Sequence, residues 1–215
     1  MDLIPRPPVG TVLGMAHNTG PADRLLPPQA FFKPAASVVG PGAAIELPEG
    51  IGAVEPEAEI AVVIGATCRH LRPSHAEQVV LGWTVADDVT ARELQRTDPL
   101  WMRAKGYDTF TPLGSQLAPG LPPADQPIEL HVNGRLVSAA RLDGLARDVG
   151  EILAYLTSYL TLRPGDVVLT GAPGAAVPIA AGDVVVVRAP GVPDLANPVA
   201  AASVRTVIES AGTGP

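Results

Sequence analysis

Glu57 and Glu59 stand two residues apart at the head of an apolar run, Ile60-Ala61-Val62-Val63-Ile64, that stops at Gly65. A run of that length and type reads as a buried strand. Side chains at i and i+2 of a strand point to one face, so the two carboxylates converge on one point. Like charges held that close need a counter-charge, and a divalent metal is the usual one. About thirty residues on, a second short strand, Trp83–Ala86, delivers a third carboxylate, either Asp87 or Asp88. Three carboxylates around an otherwise open ion make a hard-cation site of the Mg2+ kind, with positions left for substrate oxygens.

The elements that must position these groups are short. The chain has 215 residues, 47% of them hydrophobic, which is enough for a buried core in one domain. Its 24 prolines and 22 glycines, against 4% aromatics, fit many short strands joined by tight turns. Residues 1–9 read as an extended arm, and 10–210 as a single mainly β domain with two or three helices. Gly10–Met15 is a first strand, and Asn18–Gln29 is a polar, Pro/Gly-rich mobile surface loop. Ser74 and Glu77 have capping-box spacing for a helix that ends before Gly82. A short helix follows around Ala91–Arg96. Asn133-Gly134 between Ile128–Val132 and Arg135–Ala139 marks a hairpin. Asp148 can cap a helix with Ile152, Leu153, Leu156 and Leu160 on one face. Gly165-Asp166 and Gly182-Asp183 open two similar turns into strands.

Net charge is −7, pI is about 5.0, and the 15 basic residues form no run, which argues against nucleic acid or an anionic membrane as partner. Cys68 is the one cysteine, so no disulfide forms within the chain. The N-terminus lacks a signal-peptide pattern, and no apolar stretch reaches about 18 residues. The expectation is a soluble cytoplasmic protein.

Eight segments in order resemble the fumarylacetoacetate hydrolase family, from about Gly10 to Val207. They are FFKP (Phe31–Pro34), GPG (Gly40–Gly42), ExEIAVVIG (Glu57–Gly65) and GWTVADDVTARELQ (Gly82–Gln95). KGYDTFTPLG (Lys105–Gly114), the Asn133-Gly134 hairpin, LRPGDVVLTGAP (Leu162–Pro173) and GDVVVV (Gly182–Val187) follow. The resemblance implies a mixed β-sandwich roll, a homodimer, and Mg2+ or Mn2+ held by Glu57, Glu59 and Asp88. Asp87 then stands where the family has Asn, as a further metal-binding charge or a buried partner for Arg92. The resemblance also implies that Lys105 binds the substrate carboxylate or steadies an enolate, that Gln95 bonds substrate, and that Thr170 and Gly171 lie at the substrate. From the residues alone Lys105 could equally be a solvated loop lysine, and Gln95 a surface glutamine. Arg92 is either a substrate clamp or a partner for Asp87 or Glu93, and Lys33 is ambiguous in the same way. His70, His75 and His131 read as surface or structural.

Two departures bear on the reaction. Hydrolytic members carry a water-activating histidine just after the first strand. Aligned on Asn18, that position is Ala22, which leaves His17, at the end of the strand, as the one candidate to replace it. The TGTP motif reads Thr170-Gly171-Ala172-Pro173 and loses a hydroxyl. A missing base lowers the case for hydrolysis, since a positioned base contributes about 10²–10⁴-fold. Chemistry through a metal-held enolate stays open. The finer likeness is to the decarboxylase/isomerase of homoprotocatechuate catabolism, so the expected substrate is a small unsaturated 2-oxo dicarboxylate, with Asn18–Gln29 as a lid. The rivals are an acylpyruvate-type hydrolase or oxaloacetate decarboxylase/tautomerase on the same fold, and a non-catalytic partner of an active paralogue.

Overall fold

The computed structural model describes residues 2–203; the expected ends at Val207 and 210 lie outside them. Seven strands form the central sheet. In chain order they are β1 (Ile4–Pro5), β2 (Val12–Ala16), β3 (Gln29–Lys33), β4 (Ala58–Ile64), β5 (Val80–Asp87), β6 (Gln116–Pro119) and β7 (Val167–Leu169). They lie side by side as β1-β6-β5-β4-β7-β2-β3. Every residue of β4 is buried, because both faces of the sheet are covered. Ile60, Val62 and Ile64 enter the large core, while Ala61 and Val63 pack with Leu113, Leu117 and Leu169 on the other side. A strand covered on both faces reads as a continuous apolar run rather than an alternation. The 1–9 arm is fastened to the body, since β1 pairs with β6 at the sheet edge.

A five-stranded sheet packs across the large core. Its order is Arg135–Arg141, Pro127–Val132, Val184–Arg188, Leu195–Ala201, Ile45–Leu47. The Asn133-Gly134 hairpin is present, with φ of 53° and 74° at its two turn residues, as a type I′ turn requires. Gly165 and Gly182 share a device: the aspartate after each accepts an N–H from three residues before itself, Arg163 for Asp166 and Ala180 for Asp183.

Three α-helices complete the described residues: α1 (Arg92–Thr97), α2 (Met102–Lys105) and α3 (Val149–Tyr159). The side chain of Asp148 accepts the Glu151 N–H while the Glu151 carboxylate accepts the Asp148 N–H, so α3 has a full capping box and buries Ile152, Leu153 and Leu156. The helix expected from Ser74 is instead a six-residue 3₁₀ turn, Pro73–Gln78, with no side-chain cap. Gly82 ends no helix; it lies within β5, where a Cβ would stand 2.5 Å from the Ala118 carbonyl. Among the described residues no helix is long and apolar enough to cross a membrane.

Candidate metal centre

Strand register decides which aspartate joins the two glutamates. Glu59 lies opposite Ala86 in the antiparallel β4–β5 pair. Directly paired residues share a face, so Asp88, two beyond Ala86, falls on the face of Glu59, and Asp87 falls on the other. The Asp88 N–H donates to the Glu57 carbonyl at 2.9 Å, which continues the ladder to that point. Glu57, Glu59 and Asp88 each then offer a carboxylate oxygen, all within 4.8 Å of one another. Asp87 neither joins them nor meets Arg92. Its Oδ1 accepts the Glu57 N–H at 2.8 Å and its Oδ2 has no hydrogen-bond partner among the described residues. Burial pushes the Asp87 carboxyl up to about 8.

Lys105, the last residue of α2, is no solvated loop lysine, being 3% exposed. Its ammonium donates to Glu57 Oε2 at 2.6 Å and to Asp88 Oδ2, and stands 4.9 Å from the centroid of the Phe31 ring. Burial works against that charge, but Asp88 and Glu57 outweigh it and hold the group above the ordinary lysine value. Lys33 is equally buried, and its Nζ donates to Asp88 Oδ1 at 2.5 Å. It does not line the cavity over the three carboxylates, so its place is behind Asp88 rather than against substrate. Burial lowers the Lys33 pKa, Asp88 opposes the shift, and Lys105 adds to it.

Arg92 opens α1 and faces none of the partners expected of it. Its guanidinium donates to Glu55 Oε2 at 2.6 Å, Glu57 Oε1 at 2.8 Å and Gln95 Oε1 at 3.0 Å. Burial raises the Glu57 pKa, but Lys105 and Arg92 overcome it and bring the carboxylate down to about 2. Among the described residues Glu59 makes no ion pair. It accepts the Gly171 N–H at 2.6 Å, while burial, then Asp88 and Glu57, push its pKa well above the usual range, and Lys105 lowers it only from a distance. A divalent ion among these oxygens would relieve that repulsion, and three carboxylate oxygens suit a hard cation. The residues therefore fit the expected metal.

Thr170 does not face the site, since its hydroxyl donates to the Ile60 carbonyl at 3.0 Å. Gly171 serves the centre through its backbone. Its φ is +103°, and a Cβ there would collide with the Asn18 carbonyl.

A cavity of about 220 Å³ opens over the carboxylates, walled by Phe31 and Trp101 and entered by Lys105, Arg92, Gln95 and His17. His17 follows directly on β2, in the left-handed region with φ of 54°. Its Nδ1 lies 3.1 Å from the Pro27 carbonyl. Ala22 does not reach this cavity, but Asp23 does, from the 3₁₀ turn Pro21–Leu25 in the expected lid. Thr19 donates to Asp23 Oδ2 through both N–H and hydroxyl at 2.8 Å. Sequence reasoning passed over Asp23, Phe31 and Trp101. The acid three residues before Leu26, in a loop already read as a lid, was the available signal for Asp23. Nothing local marks Trp101, whose left-handed backbone, φ 57°, turns it against Phe31 with ring centroids 5.5 Å apart.

This centre can be set beside known proteins. Residues 11–200 match the family model described as Fumarylacetoacetate (FAA) hydrolase C-terminal. The chain belongs to the fumarylacetoacetate hydrolase family. Its mainly β architecture is that of the family's C-terminal domain. It resembles the 5-carboxymethyl-2-hydroxymuconate delta-isomerase from Mycobacterium smegmatis at TM-score 0.86 and 36% identity, covering 91% of this chain and 80% of that one. It resembles the 2-hydroxyhepta-2,4-diene-1,7-dioate isomerase from Mycobacterium marinum at TM-score 0.85 and 37% identity, covering 90% and 75%. Oxaloacetate tautomerase Fahd2a of Rattus norvegicus is 37% identical over 150 residues, 68% of this chain and 48% of that protein. Two further curated relatives, each 40% identical, are spanned over 67% and 64% of their length. Family neighbours of this kind support a related catalytic function for this member of the fumarylacetoacetate hydrolase family.

Proposed function

We propose that this protein is a Mg2+- or Mn2+-dependent decarboxylase/isomerase of a small unsaturated 2-oxo dicarboxylate. The observation that carries the reading is the grouping of Glu57, Glu59 and Asp88 under one small cavity that Lys105 and His17 also enter. Glu57, Glu59 and Asp88 would hold the divalent cation, which would supply positive charge to offset the negative charge of such an acid. Lys105 keeps its charge beside them and steadies the negative charge that develops as the enolate forms. Arg92 and Gln95 hold each other at the rim and orient the substrate, with Phe31 and Trp101 excluding water. In decarboxylation the carboxylate leaves as CO2 and its electron pair enters the conjugated system. In isomerisation a 2-hydroxy-2,4-diene loses its hydroxyl proton and gains a proton at C5. His17 is the proton-transfer group we assign to that exchange. The two isomerase neighbours support this substrate class.

A second reading, oxaloacetate tautomerisation, is favoured by the Rattus norvegicus relative, and it uses the same groups for a proton moved at C3. The deciding experiment is turnover by the purified chain with Mg2+ and with EDTA. The acids are 2-hydroxyhepta-2,4-diene-1,7-dioate, its carboxylated precursor, an acylpyruvate and oxaloacetate. Metal-dependent CO2 release or double-bond migration on the first two is expected. Activity confined to oxaloacetate would move the protein to the second reading. Silence on all four would sink both.

A further inference from the structure

We propose that Arg147 is a positioning residue that holds His17 over the metal cavity by gathering the carbonyls of the loop around it. This rests on the reading of His17 as the proton-transfer group. Arg147 is 8% exposed. Its Nη1 donates to the His17 carbonyl at 2.8 Å and its Nη2 to the Leu26 carbonyl at 2.5 Å, with both nitrogens 3.5 Å from the Asp23 carbonyl. Among the described residues its guanidinium bonds no carboxylate. A buried guanidinium must keep its donors satisfied, and among the described residues every acceptor of this one is a main-chain carbonyl in residues 17–26. Lifting that loop would strip all of them at once.

The backbone of Arg147 completes the clamp. Its N–H donates to Asn18 Oδ1 at 2.7 Å and its carbonyl accepts from Asn18 Nδ2 at 3.1 Å, while the same Nδ2 donates to the Thr170 carbonyl at 2.7 Å. Asn18 is fully buried. One residue thus fixes Asn18 with its main chain and His17 with its side chain. That accounts for a left-handed backbone at His17, which a residue with a side chain keeps only where its surroundings hold it. The ring is set in turn. A carbonyl can only accept, so Nδ1 donates to Pro27, and in the neutral imidazole Nε2 is left with its lone pair free for a proton.

The test compares Arg147→Met, Arg147→Ala, His17→Gln and the double variants, on whichever of the four acids the wild type turns over, with Mn2+ binding followed alongside. We expect Arg147→Met to lower kcat by about 10²-fold, the scale of an ångström-sized misplacement, with KM and the Mn2+ dissociation constant little changed. The double variant is expected to be no slower than His17→Gln alone. Millimolar guanidinium should restore activity to Arg147→Ala but not to Arg147→Ala/His17→Gln. In ring-nitrogen NMR the wild-type His17 should show protonated Nδ1, and Arg147→Met should lose that preference and exchange amides faster across 17–27. Arg147→Lys, which keeps the charge without the fork, stands in if the methionine variant does not fold. The proposal is overturned if kcat stays within about twofold, if the two losses multiply as independent sites do, or if the tautomer and amide exchange are unchanged. A wild type silent on all four acids defeats the functional reading instead, and the tautomer and exchange measurements still decide on Arg147.

Discussion

At the scale of single residues, the two aspartates after β5 differ in what the pleat gives them. Asp88 receives cations, and Asp87 receives one backbone N–H and a buried oxygen with no partner. The Asp87 pKa stands at about 8 against an ordinary 3.8. The native state therefore keeps a proton that the unfolded chain has lost, and stability falls as pH rises through that window; below it both states are protonated and nothing differs. Asp87→Asn keeps the acceptor for the Glu57 N–H and removes the slope. In EDTA it should melt above the wild type at pH 8, with the gap closing toward pH 4; parallel melting curves across that range would refute this. Gly171→Ala meets a different obstacle, a positive φ together with the Asn18 carbonyl. It should cost about 1–3 kcal/mol in denaturant unfolding, and it should weaken Mg2+ binding because the Gly171 N–H holds Glu59. The Glu57/Glu59 spacing was legible because a strand's period needs no tertiary knowledge. The choice between Asp87 and Asp88 turns on cross-strand register, which the resemblance supplied and the residues alone did not. Lys33 and Arg92 were open for a related reason: a long cation can reach several carboxylates, and only the fold selects among them.

Among elements, those whose signal is complete within a few residues were the readable ones. The Asn133-Gly134 turn and the capped α3 both lie where local chemistry places them. Asp148→Ala should cost about 0.5–2 kcal/mol in equilibrium unfolding through loss of that cap. A cost near zero would mean that packing of Ile152, Leu153 and Leu156 alone sets the helix start. Ser74 carried the same kind of signal and misled. Only six residues of 3₁₀ turn fit before Val80 pairs into β5, so sheet pairing overrode a local cap. The segment 18–29 was read as mobile from its Pro, Gly and polar content. Composition does not show that Asn18 would be buried, nor that Arg147 and the Arg24–Glu151 pair, 2.6 Å apart, would fasten it from 120 residues or more away.

For the whole molecule, the centre is the place where the sheet gathers an excess of buried carboxylate, and a cation that binds the native state alone stabilises it by mass action. Mg2+ or Mn2+ should raise Tm in proportion to the logarithm of its concentration above Kd, and Glu59→Gln should blunt the response. A Tm indifferent to either ion would argue against the centre. The mainly β class was legible from turn residues and strand-length apolar runs, whereas the two-sheet topology was not, because no local pattern encodes which strands meet. That topology has a further consequence. β2, near residue 12, runs parallel to β7, near residue 168, and β7 lies between β2 and the strand that carries Glu59. A chain growing from its N-terminus at the ribosome therefore has all three carboxylates in hand by residue 88, yet lacks the strand that flanks β4 and the Gly171 amide that orients Glu59. Long-range pairing of this kind slows folding. On the proposed reading, ion capture would wait until residue 171 has been made, and the acidic cluster would stay unassembled while the 83 residues after Asp88 are added.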